Sequence, residues 1–298
     1  MLKVIINDEV ARVDADETAQ EIISQRIDMK TISIVNLKGG VGKTVTAVNL
    51  AAILATEYAQ RVLLIDADHQ GNTSKFYRIP AEPGSLADLF EGTVMCYTDI
   101  VQPTIYRGLD VIPADMSLAA LELDGQLPED VYGGLPRDRA LRALTDLRDA
   151  VIEDDAYDFI VIDCPPAFSI ASISAIAAST DIVIPLMPGQ FEIDGMAELI
   201  QQIDGVRRTN PAVRIAGVLL TMTYRDEMVD EVIRWLREHS PVPVFDKQIR
   251  WSKPMGRAVM AHEPVCEWSP TSGAARDYRA WVREYLGGVL DGEKACHC

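Results

Sequence analysis

Seven residues, Lys38-Gly39-Gly40-Val41-Gly42-Lys43-Thr44, constrain this chain more than any others. The apolar run Ile32-Ser33-Ile34-Val35 precedes them, and the stretch from Val45 to Ala59 that follows has few helix breakers. Strand, glycine loop and helix in immediate succession form the setting in which backbone amides wrap a phosphate. The three glycines let the backbone come close to an anion. The start of the next helix adds the positive end of its dipole. In such a loop Lys43 reaches the terminal phosphates, and the Thr44 hydroxyl is placed to hold Mg²⁺.

From residue 31 onward, short Val/Ile-rich runs alternate with helical patterns. This predicts an α/β fold: a single-domain three-layer sandwich with a mostly parallel twisted sheet and helices on both faces. Strands are expected at 31–36, 61–66, 109–113, 158–163, 181–186, 214–221 and 242–249. Helices are expected at 43–59, 136–153, 170–178, 195–208, 227–239 and 274–286, the last ended by Gly287-Gly288. The division that follows is an N-terminal extension over 1–30, a folded domain over 31–287 and a tail over 288–298.

Two further stretches bring acids to strand ends. Val62-Leu63-Leu64-Ile65 leads into Asp66-Ala67-Asp68-His69-Gln70-Gly71-Asn72. In an open α/β sheet, ligands sit at the carboxyl ends of the strands. Asp66 and Asp68 share side-chain parity if the strand continues, so both could face a metal–phosphate site. A carboxylate there can position water for in-line attack on a γ-phosphate. The second stretch, Phe159-Ile160-Val161-Ile162-Asp163-Cys164-Pro165-Pro166, reads as a Walker B strand, with Asp163 near Mg²⁺.

Composition narrows the function classes. The net charge of −17 argues against a strongly basic nucleic-acid binder. Residues 200–285 are the exception, with 13 Lys/Arg against 11 Asp/Glu, so any basic face must be assembled there. No apolar run approaches the roughly 20 residues that span a bilayer. Five irregularly spaced cysteines do not read as a disulfide framework. Cys296-His297-Cys298 lacks a second pair to complete a zinc site. A cytoplasmic protein is expected.

Leu37 stands where the strict phosphate-loop pattern has its first glycine, and Lys38 opens the loop instead. This resembles the deviant Walker A motif, K-G-G-x-G-K-[ST], of the ParA/MinD family of P-loop ATPases. The resemblance extends to Asp66–Asn72, close to the family's D-x-D-P-Q-G-N with His69 in place of proline, and to Asp163-Cys164-Pro165-Pro166, its D-x-P-P. Ile184-Pro185-Leu186-Met187-Pro188 and Gly217-Val218-Leu219-Leu220-Thr221 are similar to its later strands. It covers roughly residues 31 to 287.

The resemblance implies ATP and Mg²⁺ as cofactors, held by Lys38 through Val45, with Thr44, Asp66 and Asp163 at the metal. Val45 stands where the family often has a second threonine. Lys38, Lys43 and Asp68 are the implied catalytic residues, with Lys38 reaching into the partner subunit's site. Met222, Ile249 and Arg250 are the candidates for adenine contacts. The implied function is that of a ParA/Soj-type switch, with slow, partner-stimulated ATP hydrolysis in a homodimer. That dimer binds DNA non-specifically to segregate or position a cargo, in the cytoplasm on the nucleoid. Its further partner would be a ParB-like or cargo-bound activator, and no membrane is expected. Arg207, Arg208, Arg250, Lys253 and Arg257 are the DNA-binding candidates. The alternatives are a MinD-like membrane switch, which needs a working amphipathic C-terminal helix, and a nitrogenase-reductase-like cluster carrier, which needs bridging cysteines.

Overall fold

The computed structural model describes residues 28–94, 96–119, 137–208 and 210–296. In chain order the elements are β1 (Lys30–Ile34), α1 (Lys43–Thr56), β2 (Val62–Asp66), α2 (Asn72–Phe76), α3 (Leu86–Glu91), β3 (Gln102–Pro103), β4 (Leu109–Ile112), α4 (Arg137–Glu153), β5 (Phe159–Asp163), α5 (Ile170–Ala178), β6 (Asp181–Leu186), α6 (Gln190–Val206), β7 (Arg214–Leu220), α7 (Glu227–His239), α8 (Lys253–Ala261), α9 (Val265–Trp268) and α10 (Gly273–Cys296). The extension over 1–30 lies almost wholly outside the described residues, as does the Cys-His-Cys terminus.

The strands form one seven-stranded sheet in the order β3-β4-β2-β5-β1-β6-β7. All pairs are parallel except β3 with β4. Its central strands are buried on both faces because both faces are covered by helices, so they read as unbroken apolar runs. Alternation sorts their side chains between two cores. Leu63, Ile65, Ile160 and Ile162 pack with α3 to α7, whereas Val62, Leu64, Phe159 and Val161 pack with α1 and α10. The expected three-layer α/β sandwich is therefore present.

Two expectations fail. The strand at 242–249 does not form; this segment pairs with β7 through one isolated bridge, Val218 with Val244, and a bond from the Ile249 N–H to the Leu220 carbonyl at 2.8 Å, and beyond both Thr223 bridges Arg250. Pro241 and Pro243 have no N–H to contribute to a ladder. Instead, Phe245 packs over the bare backbone of Gly217, where an added Cβ would lie 2.9 Å from its ring. The last helix also does not stop at Gly287-Gly288. It continues to Cys296, because Tyr278, Trp281, Val282, Tyr285, Leu286 and Val289 form one helical stripe buried in the core. Burial of that stripe outweighs a penalty of about 1 kcal/mol per glycine.

Candidate functional site

The glycine loop leaves β1 at the carboxyl edge of the sheet, and tertiary hydrogen bonds hold its shape. Asn36 Nδ2 donates to the Pro185 carbonyl at 2.7 Å, and Asn36 Oδ1 accepts from the Lys38 N–H at 2.9 Å. The Thr221 hydroxyl donates to the Val41 carbonyl at 2.8 Å, and Val41 itself is buried. Gly40 and Gly42 have φ of 78° and 91°, the left-handed region that a side chain disfavours. Lys38, Gly39 and Gly40 form the exposed crest. Val45 is half-buried in the first turn of α1, where its carbonyl accepts from Asn49 at 2.7 Å. Met222 (φ 53°) lies over the loop, with its Cε 3.8 Å from where a Cβ on Gly42 would stand.

Lys43 folds back over the loop and donates from Nζ to the Lys38 carbonyl at 2.9 Å. Its side chain is almost wholly buried, and that burial lowers its pKa, opposed by the charges of Asp163 and Asp68. A buried ammonium bonded to a carbonyl oxygen can exchange that partner for an anion.

β2 and β5 are adjacent and place Asp66 opposite Asp163. Asp163 Oδ2 accepts from the Thr44 hydroxyl at 2.7 Å and the Thr73 hydroxyl at 2.9 Å. Its other oxygen, Oδ1, is buried without a hydrogen-bond partner. A buried carboxylate oxygen left without a donor is costly, and a cation beside Thr44 would satisfy it. The residues thus fit a divalent ion.

Asp66 is arranged differently. Its Oδ2 accepts from both the N–H and the hydroxyl of Ser74, at 2.8 and 2.7 Å, and its Oδ1 from the Asp68 N–H at 3.3 Å. Protein donors thus engage both oxygens of Asp66, the other acid expected at the metal, and through Ser74 it anchors α2 opposite Asp163. Burial pushes Asp66 up to about 7, with the Asp163 charge as the next cause; Asp163 rises to about 6 by burial, resisted by the Thr44 and Thr73 hydroxyls.

Asp68 is nearly buried; its Oδ1 accepts from the Gln70 N–H at 2.9 Å, and a turn closes from the Gly71 N–H to the Asp68 carbonyl at 2.8 Å. Thr73 and Ser74 were not among the sequence candidates. Their signal was two hydroxyls just after Gln70-Gly71-Asn72.

The remaining candidates separate. Ile249 is buried in the core. The Arg250 guanidinium clamps Asp277 at 2.7 Å through both Nε and Nη2, its N–H donates to the same carboxylate at 3.1 Å, and its side chain stays 59% exposed. That ion pair docks the 242–249 segment on α10. Arg207 pairs with Asp204 at 2.7 Å and donates to the Val213 carbonyl at 3.2 Å. Arg208, Lys253 and Arg257 are exposed, the last two one turn apart on α8.

A family model described as an AAA domain matches residues 29–215. Over 268 residues the chain is 33% identical to the chromosome partitioning protein ParA of Caulobacter vibrioides, covering 88% of this chain and 96% of that one. The chain belongs to the ParA/MinD family of ATPases. It is also 33% identical to the chromosome-partitioning ATPase Soj of Thermus thermophilus, covering 89% of this chain and 99% of the relative. The septum site-determining protein MinD of Pyrococcus horikoshii, solved with Mg-ADP, superposes with a TM-score of 0.66 at 20% identity, covering 86% of this chain and 94% of that one. This family member is a partition or positioning ATPase. Among the described residues, no helix is long and apolar enough to cross a membrane.

Proposed function

We propose that the chain is an ATP-dependent dimerising switch that binds DNA non-specifically and hydrolyses ATP slowly to segregate or position a DNA cargo. The observation that carries the nucleotide half is the unpartnered Oδ1 of Asp163 beside the Thr44 hydroxyl and the folded-back Lys43. The backbone amides from Gly39 to Val45 cradle the phosphates. Lys43 exchanges the Lys38 carbonyl for phosphate oxygens. Thr44 and Asp163, with Asp66 beside them, would hold Mg²⁺, which would supply positive charge to offset that developing on the transferred phosphoryl group. Asp68, fixed by the Gln70 N–H, orients the attacking water. Lys38, on the exposed crest, is the residue offered to a second subunit.

The exposed cations Arg208, Lys253 and Arg257 support a DNA-phosphate role, with Arg207 and Arg250 already engaged by neighbouring acids. The membrane alternative is disfavoured, since the apolar stripe of α10 is used inside the core. A cluster carrier is also disfavoured, since Cys164 is buried and the Sγ of the exposed Cys96 lies against the Thr98 hydroxyl at 2.8 Å. The expected partner in the cell is a cargo-bound activator of the ParB kind, acting in the cytoplasm on the nucleoid.

The test is DNA retention with and without ATP and Mg²⁺, for wild type and Asp68→Ala. Wild type should be retained only with ATP, and Asp68→Ala should bind ATP, dimerise and stay on DNA without turnover. Retention indifferent to ATP, or wild-type turnover by Asp68→Ala, would overturn the reading.

A further inference from the structure

α2 is only five residues long, yet side chains tie it down at successive positions. Two of these ties reach the framework. Ser74 donates to Asp66 and accepts from the Ala114 N–H at 2.9 Å, and the His262 ring Nδ1 lies 3.0 Å from the Lys75 carbonyl. The third is different in kind. The Thr73 hydroxyl, fully buried, donates to Asp163 Oδ2, the oxygen that also accepts from Thr44 of the phosphate loop. Thr73 therefore joins the carboxylate facing the cation position to the helix that follows the Asp68 turn. That turn is short and closed: the Gly71 N–H bonds the Asp68 carbonyl, and the Lys75 N–H bonds the Gly71 carbonyl at 2.9 Å. These two bonds link the start of α2 to the Asp68 turn.

We propose that Thr73 is a positioning residue that transmits the state of Asp163 to Asp68; the proposal rests on the ATPase reading above. Two hydroxyls share Oδ2 while Oδ1 has no partner. A carboxylate that turns to present Oδ1 to a cation must keep both donors in line or lose one. With Thr73 in place, the turn carries α2 and the Asp68 loop with it, so that Asp68 takes its working position only when the site is loaded. A misplacement of about 1 Å at a reacting group can lower a rate by about 10²-fold, which sets the scale of the effect.

The experiment compares wild type, Thr73→Val and Thr73→Ser in three measurements: ATP affinity by calorimetry, kcat against Mg²⁺ concentration, and hydrogen exchange of the amides from 72 to 79 with and without Mg²⁺ and a non-hydrolysable ATP analogue. Thr73→Val should hold ATP within about twofold of wild type. It should lose about 10- to 100-fold in kcat. It should also need several-fold more Mg²⁺ and show no nucleotide-dependent protection in α2. Thr73→Ser, which keeps the hydroxyl, should restore all three. Wild-type kcat and exchange in Thr73→Val would refute the relay, as would equal impairment of Val and Ser variants, which would assign Thr73 to packing. Should Thr73→Val fail to fold, Thr73→Ala against Thr73→Ser decides by the same criteria. Failure of the wild type to bind ATP would instead remove the ATPase reading, and the relay with it.

Discussion

Replacing Asp163 with asparagine should stabilise the nucleotide-free protein while removing its activity. Asp163 is buried in register with Asp66, and its pKa stands at about 6 against an ordinary 3.8. A raised carboxyl pKa means that the folded state binds the proton more tightly than the unfolded chain. Stability is then unaffected below pH 4 and falls as pH rises towards 6. The shift of roughly 2 units, at about 1.4 kcal/mol per unit, gives a penalty of about 3 kcal/mol at pH 8. The introduced asparagine would keep an oxygen for Thr44 and Thr73, carry no charge, and relieve Asp66 of its like-charged neighbour. For a domain of this size 3 kcal/mol corresponds to roughly 5 °C in Tm. Thermal unfolding in EDTA should show Asp163→Asn melting about 5 °C above wild type at pH 8, with the gap closing by pH 4 to 5. Mg²⁺ with ATP should reverse the order, since only the wild type gains the cation. Equal melting of the two proteins at pH 8 in EDTA, or a gap indifferent to pH, would show that Asp163 carries no strain, and an order unchanged by Mg²⁺ with ATP would show that its orphan oxygen is not a cation site.

Lys43→Ala should remove about two charge-assisted phosphate bonds of 1.5–3 kcal/mol each, weakening ATP by roughly 10²- to 10⁴-fold in calorimetry. Unchanged affinity would dismiss the loop as a phosphate site. Charge reversal at both Lys253 and Arg257 should lower the salt dependence of DNA retention by about 2 in log–log slope, read by binding titrations at several salt concentrations. An unchanged slope would exclude α8 from the DNA face. Arg250→Glu, by contrast, should lower the melting temperature, because it sets a carboxylate against Asp277.

The architecture and the centre of the site were legible because they depend on short spacings. Glycines, lysine and threonine between an apolar run and a helical one specify the loop locally. The runs ending in Asp66 and Asp163 specify strands whose carboxyl ends meet at one edge. What the spacing could not convey is which partner each polar group takes. Asp66 and Asp163 end similar strands, yet Asp66 meets donors at both oxygens, whereas Asp163 meets Thr44 and Thr73 at one oxygen and none at the other. The Thr73–Asp163 bond spans 90 residues, the Arg250–Asp277 clamp 27, and the Asn36–Pro185 bolt 149.

The same limit explains the two misplaced elements. Residues 242–249 have strand-like composition, but the place beside β7 is taken by Phe245 packing on Gly217, with two prolines that cannot extend a ladder. Gly287-Gly288 is a local stop signal, overruled by Trp281, Tyr285 and Val289 in the core. By itself the sequence determined where a phosphate loop, its strands and its acids must lie. Only the tertiary structure decided which acid keeps an unpartnered oxygen and which bases remain exposed, because hydrogen-bond partners and burial are set by elements distant along the chain.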